Sequence, residues 1–110
     1  MILILAVILI VLVVVCAKKI KLAQNEKNII GTWKNSSSEN VITVQDSDTL
    51  ILYNDIPEAG LYHGNASYHF SYTDTICVTQ DDISAEFCID VDENQLIIYF
   101  AGQVYLVLQK

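Results

Sequence analysis

From Ile29 onward the apolar side chains recur at every second position, a period that a pleated strand can bury on one face and a helix cannot. The stretch Tyr68–Thr79 shows it most fully. Tyr68, Phe70, Tyr72, Ile76 and Val78 share one parity, and His69, Ser71, Thr73, Thr75, Cys77 and Thr79 fill the other. Asp74 alone interrupts the apolar parity. It marks either a bulge or strand break that turns it outward, or a buried acid with a function. Similar runs occur at Ile29–Lys34, Val41–Gln45, Leu50–Tyr53, Ala85–Val91, Leu96–Ala101 and Val104–Gln109. Between them lie short turn clusters such as Asn35–Glu39, Asp46-Ser47-Asp48, Asp92-Glu93-Asn94 and a two-residue turn near Ala101-Gly102. With no helical pattern separating them, parallel crossovers are excluded. The expected fold is an all-β domain of about eight strands, an antiparallel meander that closes as a small barrel or sandwich to hide its core and its edges.

The one long connection is Asp55–Ser67, thirteen residues holding the chain's only proline, Pro57, with Gly60 and Gly64. Ile56, Leu61 and Tyr62 have no strand parity to bury them, so they form a candidate interaction patch. Changing Leu61 and Tyr62 to Ser is then expected to leave folding intact and to weaken partner assembly. The three cysteines invite a register argument. If Tyr68–Thr79 and Ala85–Val91 turn both apolar faces to one core through a four-residue loop, Asp81-Asp82-Ile83-Ser84, then Cys77 stands directly opposite Cys88 on the outer face. Directly opposed Cβ atoms approach disulfide geometry, so this pair is expected as free thiols in a reducing space and as a cross-strand disulfide in an oxidising one.

Ahead of the β region, residues 2–17 (ILILAVILIVLVVVCA) carry no charge and end at Lys18, Lys19 and Lys21. Sixteen helical residues span about 24 Å, and snorkelling lysine stems extend that toward a ~30 Å hydrocarbon core. The rival reading is a secretory signal peptide cleaved after Ala17, supported by the small residues around that bond and opposed by the lack of a basic n-region. A lipoprotein reading of Cys16 needs a small residue before it, and Val15 is not one. The lysine flank follows the apolar run and favours keeping the domain on the cytosolic side. The expected organisation is a transmembrane anchor at 1–17, a basic stem at 18–28 and an acidic all-β domain at 29–110.

Charge divides the chain in the same way. Residues 18–34 hold five lysines against Glu26, a net of +4, whereas residues 35–110 hold twelve acids against Lys110, a net of −11. The stem suits an anionic bilayer, and the domain would attract partners with basic surfaces. With no arginine anywhere, the domain is a poor nucleic-acid binder. Chemistry is not indicated. His63 and His69 lack a third ligand at zinc spacing, and Asp90–Asn94 lacks the glycine and distal glutamate of a calcium loop. No Gly-x-Ser-x-Gly elbow and no phosphate loop occur. The expectation is a non-enzyme without metal or cofactor. Two glycosylation sequons, Asn35-Ser36-Ser37 and Asn65-Ala66-Ser67, matter only if the domain enters the secretory lumen.

Ile30-Gly31-Thr32-Trp33-Lys34, followed by the strand meander and a final Val104-Tyr105-Leu106-Val107-Leu108 strand, resembles lipocalin-like small β-barrels. That resemblance implies that Gly31 allows close packing at the closed end and that Trp33 plugs it. Strands of five or six residues argue for a side-chain-filled interior instead of a hollow one. The whole layout of apolar run, lysine stem and Ile-Gly-x-Trp β-domain is similar to small membrane proteins of large DNA viruses. The resemblance implies a minor-capsid-type protein on an internal virion membrane, its partners the lipid bilayer and other structural or capsid proteins. The sequence thus favours a non-enzymatic, single-pass membrane protein that docks onto partners. The alternative is a secreted or periplasmic lipocalin-like ligand-binding module released after Ala17.

Overall fold

The computed structural model describes residues 19–110, in which a helix over 19–28 (α1) leads into eight strands. The strands are β1 (Gly31–Lys34), β2 (Asn40–Val44), β3 (Thr49–Leu52), β4 (Gly64–Tyr72), β5 (Thr75–Gln80), β6 (Ile83–Val91), β7 (Gln95–Phe100) and β8 (Gln103–Gln109). Each pairs antiparallel with the next, and β8 returns to β1, so the sheet is a closed barrel. The apolar run 1–17 and Lys18 lie outside the described residues. No helix among the described residues is long and apolar enough to cross a membrane.

Period two does the work expected of it. Phe87, Ile89 and Val91 on β6, Leu96 and Ile98 on β7, and Tyr68, Ile76 and Val78 on β4 and β5 all point inward and are buried. Each fully buried aliphatic or aromatic side chain contributes roughly 1.5–3 kcal/mol. An eight-stranded barrel is just wide enough for side chains to fill, and the void left inside this one is only about 20 Å³, bounded by residues such as Ile42, Leu50, Leu61 and Phe87. Asp74 is exposed in the turn between β4 and β5, so it is the strand break and not a buried acid.

Turns set the ends of the barrel. Ala101 and Gly102 both take positive φ, 53° and 78°, which makes the tight two-residue β7–β8 hairpin. Asp46 holds the β2–β3 turn, its Oδ1 accepting from the backbone N–H groups of Asp48 and Thr49 and from the Thr49 hydroxyl. Those donors, the Asp48 amide foremost, draw its pKa down to about 2. Asp92 caps the β6–β7 turn in the same way, accepting from Asn94 and Gln95, and its carboxyl too is held below the ordinary range by these amides. Asp46 and Asp92 are therefore backbone caps.

The barrel is polar along its axis. The β2–β3, β4–β5 and β6–β7 turns share one end with α1, whose Asn25 donates from Nδ2 to the Thr73 carbonyl at 2.8 Å. The β3–β4, β5–β6 and β7–β8 connections share the other end. Closure is uneven. β1 meets β8 at the single pair Lys34↔Gln109, and past that point the seam beside β8 has no partner strand.

Candidate functional site

The seam explains the β3–β4 connection. Pro57 starts a 3-10 turn, Pro57–Ala59, and Gly60 closes it with φ 75°, its N–H donating to the Pro57 carbonyl. Ile56 and Leu61 then exchange two backbone hydrogen bonds of 2.8 and 3.0 Å, which folds the loop into a small ring. That ring is pressed into the open seam. Ile56 is 7% exposed and Leu61 0%, and the Tyr105 hydroxyl of β8 donates to Glu58 Oε2 at 2.9 Å across the gap. Burial, helped by the Glu58 carboxylate, raises the Tyr105 pKa. The expectation of an exposed patch at Ile56, Leu61 and Tyr62 is corrected in two of its three members: Ile56 and Leu61 are core, and their substitution attacks folding. The physical reason is the short β1. It leaves apolar wall uncovered, and the loop is the segment at hand to cover it.

Tyr62 remains, 62% exposed. Its backbone is clamped by one side chain, since Gln80 Oε1 accepts from the Tyr62 N–H at 2.7 Å and Gln80 Nε2 donates to the Tyr62 carbonyl at 2.8 Å. Next to it, Asp55 Oδ1 accepts from the His63 backbone N–H and lies 2.6 Å from His63 Nδ1. The amide and ring contacts with His63 hold the Asp55 carboxyl below the usual range. Sequence reasoning missed Gln80 as the fastener of this loop. Its signal was a polar residue on the inward parity of β5 at the mouth of the barrel. Ile83, half exposed at the same rim, packs near Gly60, where a Cβ would lie 3.5 Å from its Cδ1. Tyr62 and Ile83 thus share a rim with Asp55, Glu58, Asp81 and Asp82, and no lysine lies on the loops of this end.

At the helical end, Trp33 is wholly buried and donates from Nε1 to the Ile29 carbonyl at 2.8 Å. Lys110 lies over its ring, Nζ 4.9 Å from the centroid, and donates to the Asn28 carbonyl at 3.1 Å. Gly31 has φ 136°, and a Cβ there would stand 2.9 Å from Lys110 Cε. Trp33 and Gly31 therefore sit together where α1 meets the barrel. Beyond them α1 carries Lys19 and Lys21, both exposed.

The cysteine register is also corrected. Gln80 pairs with Ile83 across a two-residue turn, Asp81-Asp82, so β6 begins earlier than the four-residue loop supposed. Cys77 faces Glu86, and Cys88 faces Thr75. The shift is two residues, which keeps both cysteines on the outer face but makes them diagonal neighbours. Diagonal Cβ atoms stand roughly 7–8 Å apart, past disulfide reach without backbone movement, and both thiols are free. The register instead aligns His69, Cys77 and Glu86 across β4, β5 and β6. Among the described residues, however, no three His, Cys, Asp or Glu side chains converge to hold a metal ion. Of the two sequons, the Asn35 side chain is tied into its own turn, its Oδ1 accepting from the Ser37 and Glu39 amides, whereas Asn65 is exposed on β4.

No family model, curated protein or solved structure matches this chain. Its chemistry must be read from its own surfaces.

Proposed function

We propose that the chain is a non-enzymatic, membrane-anchored structural or interaction protein whose acidic barrel docks partners with basic surfaces at the bilayer. In its finer form, resting on the resemblance in layout alone, it is a minor virion protein linking an internal membrane to a capsid shell. The observation that carries the reading is the polarity of the barrel. Lysine-bearing α1 enters at one end, whose turns also hold Asp46, Asp48, Asp74, Asp92 and Glu93. The exposed Tyr62 and Ile83 occupy the opposite end among Asp55, Glu58, Asp81 and Asp82, with no lysine on its loops. A chain tethered through α1 would hold that rim away from the bilayer, toward whatever it binds. The alternative, a released ligand-binding module, needs a cavity of some 300–1,000 Å³ for a small molecule. The interior void is about 20 Å³, room for one water, and the hollow of about 380 Å³ beside Gln45, Asn65, Ser67 and Gln80 is an open polar groove, not a barrel interior.

The test is intact mass and alkaline carbonate extraction of the chain from its native source. A chain keeping residues 1–17 and pelleting with membranes supports the anchored reading. A soluble chain beginning at Lys18 sinks it.

A further inference from the structure

Most of the outer wall is polar, carrying Thr43 on β2, Asn65, Ser67 and His69 on β4, Thr79 on β5, and Glu86 and Asp90 on β6. The β7–β8 hairpin differs. Its outward rows are Gln95↔Gln109, Ile97↔Val107 and Tyr99↔Val104. Val104 is 58% exposed and Val107 50%. From Gln95 to Gln109, fifteen residues, there is no charged side chain in a protein of net charge −7. The flanks of this strip have opposite sign. On the β6 side stand Asp90, paired with Ile97, and Asp92 beside Gln95, and on the β1 side stands Lys34, paired with Gln109.

We propose that this strip is the contact between two copies of the chain, related by a two-fold axis running along the strands. Such an axis lays the β6 flank of one copy on the β1 flank of the other. Asp90 and Asp92 of each protomer then face the partner's Lys34, and Ile97 and Tyr99 of each face the partner's Val107 and Val104. Turning the axis across the strands instead sets Asp90 against the partner's Asp90, a like-charge contact that costs several kcal/mol when desolvated. The favoured arrangement leaves both α1 helices at the same end, so two copies tethered to one bilayer can adopt it. Elsewhere the wall is polar, with Glu86 and Asp90 on β6 to repel a second acidic copy, and a strip that is uncharged at its centre and oppositely charged at its flanks complements itself. The patch is two strands wide, about 5 Å between strand axes, so the contact is small and the association reversible.

Sedimentation equilibrium of the full chain in density-matched detergent micelles tests this. Wild type should show a concentration-dependent dimer. Val107→Lys, at a half-exposed position, should be monomeric with unchanged Trp33 fluorescence. Lys34→Asp and Asp90→Lys should each weaken the dimer about tenfold by placing like charges together, and Lys34→Asp with Asp90→Lys should restore it. A monomer at every concentration overturns the proposal. So does a dimer that Val107→Lys leaves intact, or a double reversal no better than the singles.

Discussion

Replacing Gly31 with Ala puts two separable strains on one residue. Its φ of 136° lies in a region that only glycine occupies comfortably, and an added Cβ would come within 2.9 Å of Lys110 Cε. The backbone term is about 1–3 kcal/mol. The steric term is relieved by movement, because the clashing atom is the far end of a flexible side chain that can swing away. Its displacement forfeits the position over Trp33, about 0.5–1 kcal/mol at an exposed site, and the hydrogen bond to Asn28, of about 0.5–1.5 kcal/mol. The two terms are comparable, with a total of about 2–5 kcal/mol. Trp33 is the chain's only tryptophan and lies wholly buried beside this contact, so its fluorescence reports unfolding directly. In urea, at about 1–2 kcal/mol per molar for so small a domain, the midpoint should fall by roughly 1–5 M. The same measurement in a Lys110→Ala background separates the terms. The backbone share, about 1–3 kcal/mol, should persist there. If Gly31→Ala is neutral, or costly only when Lys110 is present, the argument from backbone conformation is wrong.

Three further outcomes are expected. Leu61→Ser should destabilise by at least the 2–5 kcal/mol typical of truncating a buried leucine, while Tyr62→Ser should stay within about 0.5 kcal/mol, both read from urea denaturation; equal effects would place the loop wrongly. Oxidation with copper phenanthroline should leave Cys77 and Cys88 unlinked within one folded chain, checked by non-reducing peptide mapping, and a rapid intramolecular bond would mean a different β5–β6 register. Because the Asp46 carboxyl titrates near 2 in the folded chain, below its ordinary 3.8, the stability it adds is present above pH 3.8 and drains away as pH falls toward 2. The gap in urea midpoint between wild type and Asp46→Asn should close over that window, and a gap unchanged at pH 2 would contradict the assignment.

The parity of β4, β5 and β6 was legible in the sequence because side chains of a strand alternate without regard to what the strand pairs with. Tyr68, Val78, Phe87 and Ile89 were therefore assignable to the core one segment at a time. Turn chemistry was legible for the same local reason, as at Ala101-Gly102 and Asp46-Ser47-Asp48. Register was not. A shift of two residues preserves every parity, so alternation could not distinguish Cys77 opposite Cys88 from Cys77 opposite Glu86. Only the length of the Asp81-Asp82 turn, set when both strands pair, decided it. The fate of Ile56 and Leu61 was beyond local reading altogether. Their burial depends on a gap that exists because β1 stops at Lys34 while β8 runs on, and that gap appears only when the barrel closes. The sequence by itself determined which face is apolar in the alternating strands β4, β5 and β6, but not in β7 and β8, which are apolar on both. Tertiary closure decided which partner each residue meets, because pairing and seam filling depend on contacts between segments far apart along the chain.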